Sequence, residues 1–347
     1  MKSALLLVSL LAAALPAQVQ VTSPNIPGSV NVSPPFPSGI GRYQQWYSAA
    51  SLQGTILAPM RFELAEFFAG SPPTTQQAQI DCEIFMAHGK ASGVTGSFSA
   101  NYDSPPVLVK PRALVPLAAG TLGQMVIALP FATRFTWDRQ RPLLLEIRVY
   151  GNSLNNQPFT YNFRGSTTSL GTTSRVYAGG SPQATSGTVL QGVGLVTRFT
   201  ARPGAVVPFG TGCAGEGGVV PTGSIAQVPS PGITWTHQLT GAASQRWAVW
   251  VIGDTNQSPY PVDATELLGY GPSGCMLRTN PLHLEPLMTV GGGAGSGVAT
   301  LPVTLPGTGG YVGASVFTQW FVLDPLAPNG VLSTTAANWS VVAPVGG

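Results

Sequence analysis

Apolar and polar residues alternate with a period of two along several short stretches of the chain. In Ile80-Asp-Cys-Glu-Ile-Phe-Met86, Ile80, Cys82, Ile84 and Met86 share one side, and Asp81 and Glu83 share the other. That is the pattern of a half-buried strand. Leu143, Leu145, Ile147 and Val149 alternate in the same way with Leu144, Glu146 and Arg148. Val189 to Thr200, Trp247 to Ile252 and Tyr311 to Leu323 are further apolar, β-branched runs. After the last of these, Asn329-Gly330 predicts a turn and Val331 to Val342 a return strand. Helical periodicity with caps is missing from the sequence. Met60 to Ala69, bounded by Pro59 and Gly70, is the one stretch ambiguous between a strand and a short helix. Glycine (43) and proline (32) break the apolar runs every ten residues or so. Many short strands between turn signals predict an all-β fold of two β-sandwich, jelly-roll-like domains in tandem.

The same punctuation divides the chain. Residues 1–17 read as a secretory signal peptide, with Lys2 followed by the apolar stretch Ala4 to Leu15 and a small residue, Ala17, at the cleavage point. The stretch is too short to span a bilayer, and no later apolar run is long enough to do so. Residues 18–41 are a Pro-, Ser- and Gly-rich lead-in. An N-terminal sandwich is expected over 42–202 and a C-terminal one over 209–347. A linker is expected at 203–208, where two prolines discourage sheet pairing. Gly291 to Gly297 reads as a flexible loop within the second domain.

The C-terminal part opens with Phe209-Gly-Thr-Gly-Cys-Ala-Gly215 and carries a second cysteine in Gly274-Cys275. It closes with Gln319-Trp-Phe-Val-Leu-Asp324 and Asn338-Trp-Ser340. It resembles a module of uncharacterised exported bacterial proteins, and the part from Arg42-Tyr-Gln-Gln-Trp-Tyr47 onward is similar to the portion that often precedes that module. The resemblance implies β-sandwich folds. It brings no established activity and no catalytic residues.

Composition narrows the functions. Only 8% of residues are charged while 44% are hydrophobic, so the chain can bury a core and is not of the disordered class. The net charge is +3 with scattered basic residues, which excludes the basic stripe that nucleic-acid binding needs. Gly210-Thr-Gly212-Cys-Ala-Gly215 matches the dinucleotide fingerprint by letter, but the Glu-Gly-Gly-Val-Val-Pro that follows cannot open the helix which would hold a phosphate. No nucleophile elbow is present, and His88, His237 and His283 are isolated from acidic partners in sequence. Neither a cofactor nor a metal is expected.

Four features carry the remaining chemistry. Asp81 and Glu83 lie on one strand face about 7 Å apart, within the range for inverting glycoside hydrolysis, although an exposed polar face has the same pattern. Asp254, Asn256, Asp263 and Glu266 offer oxygen donors for a loose calcium site, against a polar hairpin loop. Tyr43, Trp46, Tyr47, Trp247 and Trp250 are candidate ligand-stacking aromatics, against core packing. Trp247 and Trp250 are three positions apart, so on a strand they face opposite sides. Last come the cysteines. Cys82 alternates with core residues and reads as a buried thiol, which leaves Cys213 and Cys275 to form a disulfide in an oxidising compartment. The alternative is three unpaired buried thiols.

These readings give an exported, non-catalytic protein, soluble after signal cleavage. It acts at the cell surface or in the extracellular matrix, on a polysaccharide or a cell-surface protein. A carbohydrate-binding module pair is the alternative reading, and a glycoside hydrolase the third.

Overall fold

The computed structural model describes residues 18–25, 30–167, 171–307 and 309–346. The leader at 1–17 lies outside the described residues. Among the described residues, twenty-four strands and two α-helices, of five and four residues, make up the regular structure together with short 3-10 turns. The chain is all-β, as its alternation implies, and every strand pair is antiparallel. It divides into two compact units, Gln18–Arg202 and a second that begins at Pro203.

In the first unit a four-stranded sheet runs in the order Val19–Ser23, Thr197–Arg202, Met60–Phe68, Met125–Trp137. A six-stranded sheet runs Thr188–Gln191, Thr173–Gly179, Gly41–Tyr47, Leu143–Asn152, Ala78–His88, Val107–Leu117. The two sheets meet through aromatic rings. Tyr47 of the larger sheet stands edge-on to Phe199 of the smaller at 5.3 Å between centroids, and its hydroxyl donates to Thr197 Oγ1 at 2.7 Å. Within the four-stranded sheet, Phe62 packs on Phe199 at 5.1 Å.

The ambiguous Met60 stretch is a strand. It pairs on both sides, with Thr197–Arg202 and Met125–Trp137, so sheet hydrogen bonds along both edges override the weak helical signal. The lead-in at 18–41 is not wholly irregular either. Val19–Ser23 joins the four-stranded sheet and Val30–Val32 pairs with Phe163–Thr167.

The second unit packs a sheet ordered Val206–Phe209, Ala337–Val341, Ser315–Leu323, Trp247–Gly253, His283–Met288 against one ordered Thr222–Ile225, Thr234–Ala242, Gly297–Thr304. Trp235, Trp250 and Trp320 fill the core between them. Val206–Phe209 falls partly in the expected linker yet pairs with Ala337–Val341. It lies at the sheet edge, where the N–H that Pro208 lacks is not needed for a second neighbour. Gly291 to Gly297 forms a turn held by Ser244, whose hydroxyl donates to Gly293 O at 2.6 Å and accepts from the Gly293 N–H at 3.1 Å.

Candidate binding face of the second unit

The strand Trp247–Gly253 sends alternate residues to opposite faces. Ala248, Trp250 and Ile252 enter the core, so Trp247, Val249 and Val251 face outward. Cross-strand register extends this outward face in both directions. Trp247 lies opposite Met288, Val249 opposite Pro286 and Val251 opposite Leu284 on His283–Met288. On the other side Val249 lies opposite Phe321 of Ser315–Leu323. His283–Met288 is the last strand of its sheet. The result is an apolar outer face that ends at a sheet edge, with Trp247 51%, Leu284 52% and Met288 47% exposed.

Residues 262–277 fold over part of this face as a flap. Val262–Asp263 pairs with Met276–Leu277, and the helix Ala264–Leu267 lies between them in sequence. Asp263 caps that helix. Its Oδ1 accepts from the Thr265 N–H (3.0 Å) and its Oδ2 from the Ser273 (2.9 Å) and Gly274 (2.6 Å) N–H groups. Desolvation works to raise the Asp263 pKa, but the Thr265 hydroxyl, which donates to Oδ1 at 2.6 Å, and the Gly274, Glu266 and Ser273 N–H groups outweigh it and bring the pKa down to about 2. Beneath the flap, Ala264, Cys275 and Leu277 pack on Val251, Phe321 and Leu332. Beside the helix an apolar groove of about 230 Å³ is left open, lined in part by Val249, Leu267, Leu268, Leu284 and Leu323. Leu267 and Leu268 stand 63% and 55% exposed on its rim.

A second cleft, of about 510 Å³, is lined by Tyr270, Ser273, Pro328 and Asn329 together with Cys213 and Cys275. Those two cysteines form a disulfide with their Cα atoms 5.3 Å apart. Cys82 is a buried free thiol, pushed up to about 12 by desolvation.

Of the five candidate stacking aromatics, Trp247 alone is open to a ligand. The stacking reading is corrected for the other four, because Tyr43, Trp46, Tyr47 and Trp250 are buried. The polar tips of the three in the first unit are spent there: the Tyr43 hydroxyl bonds Gln45 Oε1, Trp46 Nε1 donates to Lys90 O at 2.8 Å, and the Tyr47 hydroxyl donates to Thr197 Oγ1. Trp250 lies in the second core, 4.6 Å from the His237 ring. The glycine fingerprint at Gly210 is followed by the turn Glu216–Gly218 rather than an α-helix.

Four of the candidate acids, Asp81, Glu83, Asp254 and Asp263, are committed to other partners. Asp81 takes a bidentate contact from Arg112 Nε (3.0 Å to each oxygen), and Glu83 accepts from Tyr150 Oη at 2.7 Å and faces Arg148 Nη1 at 3.4 Å. Asp254 accepts from Asn280 Nδ2 at 2.8 Å, and Asp263 caps its helix. Among the described residues no group of three or more His, Cys, Asp or Glu side chains is placed to hold a metal ion.

One convergence was invisible in the sequence. Ser104 Oγ lies 3.3 Å from His88 Nδ1, and His88 Nε2 lies 3.5 Å from Asp138 Oδ2. The residue types are those of a hydrolytic triad, but the bonding is structural. Ser104 Oγ accepts from the His88 backbone N–H at 3.1 Å, and His88 Nε2 accepts from the Asp138 N–H at 3.4 Å. Asp138 is also held by Arg141 Nε at 2.5 Å. Desolvation lowers His88 to about 4, so the ring is neutral and braces its loops. No linear motif marks this cluster, because its members are drawn together only by the fold.

No protein-family model, curated protein or solved structure matches the chain.

Proposed function

We propose that the chain is an exported, non-catalytic binding protein that meets a partner at the cell surface or in the extracellular matrix through the outer face of its second unit. The observation that carries the reading is the apolar strip of Trp247, Met288, Leu284 and the groove-rim leucines 267 and 268, exposed beside a sheet edge. Contiguous exposed apolar surface of this kind marks interaction sites. The strip carries no charged side chain, which favours an apolar protein surface as the partner. The disulfide suits an oxidising compartment, and no helix among the described residues is long and apolar enough to cross a membrane. The pairing of Asp81 and Glu83 with arginines supports a binding role over acid–base turnover.

The test is co-sedimentation of the mature chain with envelopes from the producing cells, alongside Trp247→Asp and Leu284→Asp. The reading expects the wild type to pellet and both variants to stay in the supernatant. Equal pelleting of all three would reject the face. Carbohydrate binding is the second reading, favoured by the exposed Trp247 ring alone. Release of the wild type by soluble polysaccharide from the same envelopes, with protease treatment of the envelopes having no effect, would select it over a protein partner.

A further inference from the structure

The Cys213–Cys275 disulfide closes a separation of 62 residues, and both of its cysteines line an open cleft. The two sulfurs are not equivalent. Cys275 is 1% exposed and sits in the apolar cluster beneath the flap. Cys213 is only partly buried, at the margin of the same cluster. Asn329 Nδ2 lies 2.9 Å from Cys275 Sγ. The orientation of that amide is fixed by its neighbours. Asn329 Oδ1 accepts from the Val331 N–H at 2.9 Å and the Leu332 N–H at 3.0 Å, and Nδ2 also donates to Leu332 O at 2.9 Å. With two backbone donors on the oxygen, the NH2 must face the sulfur.

We propose that this cleft is a thiol–disulfide exchange site, at which a small thiol attacks Cys213 and Cys275 is the leaving group. A structural disulfide needs neither an open approach nor a hydrogen-bond donor aimed at one of its sulfurs. Exchange needs both, because its rate rises with access and with stabilisation of the departing thiolate. A cleft of about 510 Å³ is within the size range of small-molecule sites. None of its lining residues is an Asp or a Glu that would repel the incoming thiolate. Nearby Asp263 is turned to the Ser273 and Gly274 N–H groups.

In the step, the thiolate of RSH forms a new S–S bond to Cys213 Sγ and the Cys213–Cys275 bond breaks. The electron pair leaves on Cys275 Sγ, which accepts from the Asn329 N–H. The proton lost by RSH passes to solvent. One disulfide is consumed and one formed, so no further oxidant or reductant is required. The adduct at Cys213 unties the flap end at Cys275 from the segment after Val206–Phe209. This inference does not depend on the partner of the apolar face.

The test uses the native oxidised chain with excess glutathione at neutral pH, quenched by acid, alkylated and mapped by mass spectrometry. Glutathione should appear on Cys213 and the alkyl group on Cys275. Asn329→Asp keeps an acceptor for the Val331 and Leu332 N–H groups but removes the donor, and it should slow adduct formation about tenfold, the loss of one charge-assisted hydrogen bond. Glutathione on Cys275, reaction only in denaturant, or an unchanged rate in Asn329→Asp would each overturn the proposal. If the variant does not fold, the wild-type map decides alone.

Discussion

Trp247 and Trp250 stand on one strand and face opposite sides of its sheet. Trp250 lies against the His237 ring at 4.6 Å in the core, while Trp247 lies opposite Met288 on the solvent side. Equal truncations should therefore have unequal effects. Trp250→Ala should cost about 3–5 kcal/mol, the range for emptying a large aromatic site in a core. Trp247→Ala should stay within about 0.5 kcal/mol, as surface substitutions do. Urea unfolding of the two variants measures both, and equal losses would mean that the strand face is assigned wrongly.

Glu146 shows how a buried charge shapes the first unit. It accepts from Arg42 Nη2 at 3.0 Å, from Arg148 Nε at 2.5 Å and from the Tyr102 hydroxyl. Desolvation acts to raise its pKa, and these partners outweigh it and hold the carboxyl below the usual value. Its folded pKa is thus depressed, so its contribution is present above the unfolded value and is lost as pH falls through the folded one. Glu146→Gln should cost about 3–5 kcal/mol at neutral pH, because the largely buried Arg42 guanidinium loses its carboxylate partner and Arg148 keeps only Glu83. Chemical denaturation at pH 7 checks the magnitude, and a loss below about 1 kcal/mol would refute it.

His237 gives a pH dependence of opposite chemistry and equal sign. Trp235 Nε1 donates to its Nε2 at 2.8 Å, which requires that nitrogen to be unprotonated. Desolvation lowers the ring to about 3. The unfolded chain therefore takes up this proton first as pH falls, so stability declines from about 6.5 down to about 3, by up to roughly 1.4 kcal/mol per pH unit. His237→Gln keeps an acceptor for Trp235 and does not titrate. Its stability profile over that window should be flatter than the wild type's, and parallel profiles would show that His237 is not the titrating group.

Individual strands were more legible in the sequence than their surroundings. The alternation around Cys82 became Ala78–His88, and that around Ile147 became Leu143–Asn152. Met60–Phe68 was not readable, because pairing on both edges decided it and pairing is not a local property. The disulfide was reachable by elimination, since Cys82 alternates with core residues. The burial of Tyr43, Trp46 and Tyr47 was not, because an aromatic cluster in a strand has the same letters whether it faces a core or a ligand. The apolar face around Leu267, Leu284 and Met288 was hidden for the same reason: its composition is that of a core, and only the sheet order reveals that no layer covers it entirely.

The central claim, that the outer face of the second unit is the contact surface, is tested most directly by hydrogen exchange of the mature chain free and bound to envelopes. The account predicts slowed exchange confined to Trp247–Gly253, His283–Met288 and the flap at 262–277. Protection confined to the Asp81–Arg112 and Glu83–Arg148 face of the first unit, with those segments unchanged, would contradict it.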